Sequence, residues 1–211
     1  MDNQLDGLVA DMKPVRRRSV TMEALVLVGL VAIELAVWLL MGNARENLIH
    51  VVQTTPVFWW KLGGAAVLMT IGCATAVASF DPAASPRRGL AALGGMFGVF
   101  LAIAFVLDAK QGFADLAARL SLWPGLICFA HIVTLSVPPL AALALLMRRG
   151  APTDTAATSI ACGLAAAGWG AFVFVFSCPH DDPLFVAVWY PATAAASALF
   201  ARLVLPPISR W

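Results

Sequence analysis

Six long apolar stretches constrain the fold of this chain more than any other feature. Each is close to the roughly 20 residues that an α-helix needs to cross the hydrocarbon core of a bilayer. They lie near residues 21–41, 57–80, 89–108, 124–147, 155–176 and 184–205. Only 12% of the 211 residues are charged, whereas soluble domains contain roughly a quarter. The pattern predicts an all-α integral membrane protein, a bundle of six transmembrane helices.

The basic residues predict how the bundle is oriented, because cytoplasmic loops carry an excess of Lys and Arg. With a cytoplasmic N-terminus, ten of the 14 basic residues fall inside: Lys13, Arg16, Arg17, Arg18, Arg87, Arg88, Arg148, Arg149, Arg202 and Arg210. The others fall outside: Arg45, Lys61, Lys110 and Arg119. We therefore expect both termini in the cytoplasm. The net charge of +2 is too small to indicate nucleic-acid binding.

Residues 1–20 form the only sizeable polar segment of the sequence. Leu5, Leu8, Val9 and Met12 follow the spacing of one helical face, and Pro14 ends that pattern. A helix this short is marginal alone, so the segment is either a frayed tail or an amphipathic helix that orders in a partner's groove. The predicted organisation is a cytoplasmic segment at 1–20, a membrane domain at 21–205 and a cytoplasmic tail at 206–211.

Few polar residues lie within the predicted spans. Glu34 is costly at that depth, and is either functional or a neutral, hydrogen-bonded carboxyl. Lys61 falls near the outer end of its span, where its ammonium group can snorkel to the surface. Gly94 and Gly98 have the spacing that allows close helix packing in lipid. No nucleophile–base constellation indicates an enzyme, and a small transporter or channel with Glu34 and His131 along its path is the alternative class.

The cysteines separate by their expected depth. Cys128 and Cys178 are the only pair at matching depth near the outer face, with His131 and His180 close to them in sequence. Two thiols and two imidazoles suit a soft or borderline metal ion. Two thiols alone suit a reversible disulfide if their Cα atoms approach within about 7 Å. The plainer interpretation is that Cys128 and His131 only fill the helix interior, as is expected for Cys73 and Cys162.

Three places in the chain resemble the NrsF family of bacterial inner-membrane anti-sigma factors. They are the opening LDGLVADMKPVRRR, the fourth-span segment around Cys128, and the stretch CPHDDPLFVAVWYP at 178–191. The last is the most specific, since it is similar to the family's Cys-Pro-x-Asp loop running into a Phe-x-Ala-x-Trp-Tyr helix. The resemblance extends over essentially the whole chain.

The resemblance implies a multi-pass protein of the inner membrane that holds an extracytoplasmic-function sigma factor and releases it under periplasmic heavy-metal or oxidative stress. It implies that Cys128 and Cys178 sense the signal, and no obligatory cofactor is expected beyond a heavy-metal ion as that signal. His131 and His180 are candidate further metal ligands. The expected partners are the sigma factor and the lipid bilayer. We expect the sigma factor to contact Leu5, Leu8, Val9, Asp11, Pro14 and Val15.

Overall fold

The computed structural model describes residues 18–108 and 119–208. These residues form seven α-helices and no strand. The helices are α1 (Val20–Trp38), α2 (Leu48–Thr54), α3 (Pro56–Ser79), α4 (Arg87–Asp108), α5 (Leu122–Arg149), α6 (Thr155–Phe174) and α7 (Pro183–Ile208). The predicted all-helical fold is confirmed.

Six of these helices are long and apolar enough to cross a membrane, as the sequence predicted. They are α3 to α7 and α1, which a π-helical turn at Leu39–Asn43 extends to Val20–Asn43. The short α2 links the first two spans. Helix α7 continues through Pro206 and Pro207, beyond the predicted end at residue 205. The amphipathic helix expected within residues 1–20 lies almost entirely outside the described residues.

Local sequence signals begin and end several of these helices. Ser19 caps α1, where its hydroxyl accepts a hydrogen bond from the Met22 amide at 3.4 Å. Asp154 caps α6 in the same way, accepting from the Ala157 amide at 3.0 Å. Pro56 occupies the first turn of α3, where its missing amide hydrogen costs nothing. Gly42 adopts φ 80°, a left-handed conformation that ends the first span.

Helix α6 is the centre of the bundle, and its glycines allow the close contacts. A Cβ atom on Gly163 would lie 2.6 Å from the Ser197 carbonyl oxygen of α7. One on Gly168 would lie 2.6 Å from the Met69 backbone nitrogen of α3, and one on Gly170 would lie 2.4 Å from the Ile132 carbonyl oxygen of α5. The backbone of α6 therefore packs directly against three neighbouring helices.

The contact predicted through Gly94 and Gly98 is not formed within the described residues. Nothing lies within 4 Å of a Cβ atom built on either glycine. Helix α4 turns this face outwards, because its inward contacts use Leu93 and Ala104, which are buried. The spacing of glycines in the sequence therefore did not show which helix face packs closely: the glycines of α6 do and those of α4 do not.

The basic residues mark two ends of the bundle. Arg45, Lys61 and Arg119 lie at one end, together with the 175–182 loop between α6 and α7; we call this the loop end. The other end, which we call the arginine end, carries Arg18 before α1, Arg87 and Arg88 at the start of α4, and Arg148 and Arg149 at the end of α5. Which side of the membrane each end faces follows only from the charge distribution.

We predict that Gly170→Ala destabilises the bundle by about 1 to 3 kcal/mol, because the added methyl group would press on the α5 backbone. Gly95→Ala is the matched control, since nothing lies within 4 Å of a Cβ atom there. Thermal unfolding of the purified full chain in detergent compares the two. Equal melting temperatures would contradict the close packing of α6 on α5.

Candidate functional site

The 175–182 loop covers the loop end of the bundle and buries Cys178. The amides of Ser177 and Cys178 both donate to the Phe174 carbonyl oxygen at 2.9 Å, so the chain turns tightly as α6 ends. Asp182 then begins α7, because its carboxylate accepts hydrogen bonds from the amides of Leu184 at 2.8 Å and Phe185 at 3.1 Å. This turn places the Cys178 side chain inside the protein, 0% exposed.

Cys128 of α5 meets Cys178 below this loop. Both are free thiols, and Cys128 is only 2% exposed. The two thiols interact with each other, and the Tyr190 hydroxyl of α7 faces the Cys178 sulfur. The Cys178 sulfur also lies 3.8 Å from the His180 carbonyl oxygen. A loop, α5 and α7 thus converge on one buried pair of sulfur atoms. These are the two cysteines that the sequence placed at matching depth in the membrane.

A buried lysine lies beside the pair. Lys61 of α3 is 0% exposed, and its ammonium group donates to the His180 carbonyl oxygen and to Asp181 Oδ1, each at 2.8 Å. The expectation that Lys61 snorkels to the surface was wrong. Burying an ammonium group without partners costs roughly several kcal/mol. The folded state therefore requires the partners of Lys61.

Asp181 joins Lys61 to Arg45. The Arg45 guanidinium donates to Asp181 Oδ2 at 3.1 Å and to the Cys178 carbonyl oxygen at 3.1 Å. Burial disfavours the charged carboxylate, but the hydrogen bonds from Arg45 and Lys61 outweigh it, so the pKa of Asp181 lies below its ordinary value. The carboxylate therefore stays charged between two cations.

Arg119 holds the other side of the loop. Its guanidinium donates to Asp182 from Nε at 2.7 Å and from Nη2 at 2.9 Å, and also binds Asp108 at the end of α4. The hydrogen bond to Asp182 is the main reason that the pKa of Arg119 is raised, with Asp108 second. Burial works against charge on Asp182, but Arg119 outweighs it and lowers the pKa of Asp182. The loop is fastened from both flanks by charge-assisted bonds.

The surroundings favour the charged form of Cys178. The hydrogen bond from Cys128 is the largest cause, and together with the nearby Lys61 charge it outweighs burial, so the pKa of Cys178 lies below its ordinary value. A thiolate is the form that binds metals and attacks electrophiles. The site therefore favours a thiolate at Cys178, next to Cys128 and the buried Lys61 side chain.

The two histidines do not join the thiols. The His131 ring stacks on Phe174 with centroids 5.3 Å apart and meets Trp38 edge-on at 6.1 Å. The His180 ring packs on Phe185 at 4.4 Å. Among the described residues, no three His, Cys, Asp or Glu side chains come together as a metal site. The structure thus brings together Cys128 and Cys178 but not the four-ligand set with His131 and His180.

The remaining candidates lie elsewhere. The Glu34 carboxylate of α1 accepts a hydrogen bond from the Trp169 indole of α6 at 2.8 Å. Glu34 therefore links α1 to α6, which agrees with the interpretation of Glu34 as a hydrogen-bonded carboxyl group. The expected sigma-binding residues Leu5, Leu8, Val9, Asp11, Pro14 and Val15 lie outside the described residues.

Sequence reasoning missed the roles of Lys61, Arg45 and Arg119. One signal was available: the charge distribution places all three on the side that also holds Asp181 and Asp182. Basic and acidic groups confined to one end of an apolar bundle are expected to pair with each other. The particular pairing depends on helix positions that charge counting does not give.

Comparison with known proteins supports the resemblance found in the sequence. The profile of the NrsF family, described as Negative regulator of sigma F, matches residues 8–211. The match includes both thiols, the 175–182 loop and all six long helices. No curated protein and no solved structure matches the chain.

We predict that Cys178 titrates below the ordinary thiol pKa of about 8.5, because its surroundings favour the thiolate. Because the pKa is lowered, the stability contributed by the thiolate is present above the ordinary thiol value and is lost as the pH falls through the folded-state pKa. The thiolate absorbance of the wild-type chain minus that of Cys178→Ser measures the titration. Lys61→Met should move the midpoint upwards by about one pH unit, because an opposite charge is removed. A wild-type midpoint near the ordinary thiol value of about 8.5 would contradict this charge assignment.

Proposed function

The chain belongs to the NrsF family, described as Negative regulator of sigma F, and from this premise we propose that it is a membrane anti-sigma factor with a thiol sensor. It would hold an extracytoplasmic-function sigma factor at the inner membrane and release it when the Cys128–Cys178 pair is modified. The sigma factor would bind the segment at residues 1–20. The loop end would face the periplasm and the arginine end the cytoplasm, in agreement with the positive-inside rule.

The observation that carries this proposal is the buried thiol pair beneath a loop held by ion pairs. A pair used only for packing needs no charged neighbours, whereas this one has Lys61 beside it and Asp181 one hydrogen bond further away. Soft thiolate ligands select thiophilic metal ions. A peroxide can instead oxidise the pair: the Cys178 thiolate attacks a peroxide oxygen to give a sulfenic acid and hydroxide, and the Cys128 thiol then displaces water to form the disulfide.

Either reaction removes the negative charge of Cys178 that Lys61 faces. A metal ion neutralises the thiolate, and a disulfide consumes it. Lys61 then loses one of the two anionic groups near it and keeps Asp181. Because Asp181 also binds Arg45, a change at the sulfur atoms alters the bonds that hold Arg45.

Arg45 carries this change to the first span. Its own amide donates to the Phe176 carbonyl oxygen at 3.1 Å, and its side chain binds Cys178 and Asp181. The indole of Trp38, near the same end of α1, donates to the Ser177 hydroxyl at 2.6 Å. The 175–182 loop therefore holds the loop end of α1 directly.

The rest of α1 is loosely attached to the bundle. Leu27 is its only buried residue, and its polar ties are the Glu34–Trp169 hydrogen bond and the bond from Arg18 to the Val77 carbonyl oxygen at 2.7 Å. In the sequence, residues 1–17 directly precede Arg18 and this helix. Helix α1 therefore joins the two sites: hydrogen bonds attach it to the loop beside the thiols, and the chain connects it to the sigma-binding segment. A shift of α1 would carry the signal between them. The signal acts only if the two positions of α1 differ in affinity for the sigma factor.

We predict that Leu5→Ala together with Leu8→Ala weakens sigma-factor binding at least about tenfold, because both leucines belong to the apolar face of the segment. Co-purification of the sigma factor with the full-length chain measures binding, and expression of its target genes should rise without any signal. Gln4→Ala is the control from the same segment. Undiminished binding by the double variant would refute the assignment of this segment.

We predict that Cys128→Ser together with Cys178→Ser abolishes induction of the target genes by Cd²⁺ or peroxide. Cys73→Ser together with Cys162→Ser is the matched control, because these thiols lie in α3 and α6 away from the loop. Arg45→Met should keep Cd²⁺ binding but lose most of the induction, since it removes the link to α1 while leaving both thiols. Normal induction in the Cys128/Cys178 variant would rule out the sensor.

A further inference from the structure

A deep apolar groove separates α1 from α3 at the arginine end of the bundle. Its volume is about 550 Å³. The walls are made by Ala24 and Val28 of α1 and by Ala74 and Ala78 of α3, and Trp169 of α6 lies at its inner end. All four wall residues are exposed, so the groove opens towards the surroundings of the bundle.

The length of the groove along α1 matches the thickness of one leaflet of a bilayer. It follows α1 from Val20 to Val31, which is about 16 Å at 1.5 Å per residue. The hydrocarbon core of a bilayer is about 30 Å thick, so the groove extends from one surface to near the midplane. Water is absent at that depth, and an apolar groove there is filled by a hydrocarbon chain.

Two charged groups at the mouth of the groove are held in fixed positions. Arg18 is fastened by Glu23 at 2.6 Å, by the Val77 carbonyl oxygen at 2.7 Å and by the Phe80 ring, whose centroid lies 5.2 Å from the guanidinium carbon. Its Nη1 atom has no partner among the described residues. Asp81 uses Oδ1 to accept a hydrogen bond from the Ala83 amide at 2.9 Å, and no described residue binds its Oδ2.

From this combination we propose that the groove binds the acyl chain of a glycerophospholipid with a zwitterionic, amine-bearing head group such as phosphatidylethanolamine. The Arg18 guanidinium receives the phosphate, and the Asp81 carboxylate receives the ammonium group. Glu23 and Asp81 supply two carboxylates near one guanidinium, which disfavours a head group that carries only negative charge. The proposal concerns a ligand of α1 and does not depend on the sensor assigned to the loop end.

Native mass spectrometry of the full-length chain in detergent tests this proposal, with phosphatidylethanolamine or phosphatidylglycerol added. Ala74→Trp fills the groove and should weaken binding of phosphatidylethanolamine at least about tenfold, because it displaces several methylene groups. Ala102→Trp is the matched control, since Ala102 is also an exposed alanine in a span but lies on α4 outside the groove. Ala78→Leu is a second groove variant, used if Ala74→Trp does not fold.

A further variant in the same experiment tests which head group is bound. Asp81→Asn should remove the preference for phosphatidylethanolamine over phosphatidylglycerol and leave binding of the latter unchanged or stronger. Equal lipid binding by the groove variant and Ala102→Trp would overturn the groove as a site. Equal binding of the two lipids by the wild-type chain would overturn the zwitterionic ligand.

Discussion

The folded state at the loop end depends on how one buried cation is satisfied. Lys61 lies inside the protein without solvent contact, and it persists there because Asp181 and the His180 carbonyl oxygen accept its hydrogen bonds. Asp181 also accepts hydrogen bonds from Arg45, so that one carboxylate joins two cations. This arrangement holds one side of the 175–182 loop over the buried Cys178 and places a cation near its sulfur, while Arg119 holds the other side.

The two halves of the bundle are stabilised in different ways. Around α6, glycines at 163, 168 and 170 let backbones approach, and dispersion contacts act over many atoms. Helix α1 packs less tightly: Leu27 is buried, its other core-facing apolar residues are only partly buried, and hydrogen bonds through Glu34, Trp38 and Arg18 add to these contacts. A rigid core and a more weakly packed first span suit the proposed transmission of a signal, because the parts of a protein that move are drawn from its less stable regions.

The sequence predicted the helices well because the determining property is simple. A length of apolar residues without charge identifies a span, and the observed α3, Pro56–Ser79, lies within one residue of the predicted 57–80. Depth counting also selected Cys128 and Cys178, since both lie near helix ends whose bounds were accurate. Two sequence predictions failed: close helix packing through Gly94 and Gly98, and exposure of the Lys61 ammonium group at the surface. The reason is the same in each case: which way a residue faces around a helix in an all-apolar bundle depends on neighbours that the spacing does not identify.

The position of the thiol pair explains why the loop, rather than a helix, would transmit the signal. Cys128 is fixed within α5, which packs on the central α6, so a reaction at its sulfur moves that helix little. Cys178 lies in the 175–182 loop, whose attachments are hydrogen bonds and ion pairs, including those that Arg45 makes from the end of α1. In the proposed mechanism, the loop would be the part that moves when the sulfur atoms draw together around a metal ion or in a disulfide. Because in lipid no hydrophobic force presses α1 back against its neighbours, a displacement of the loop would pass to α1.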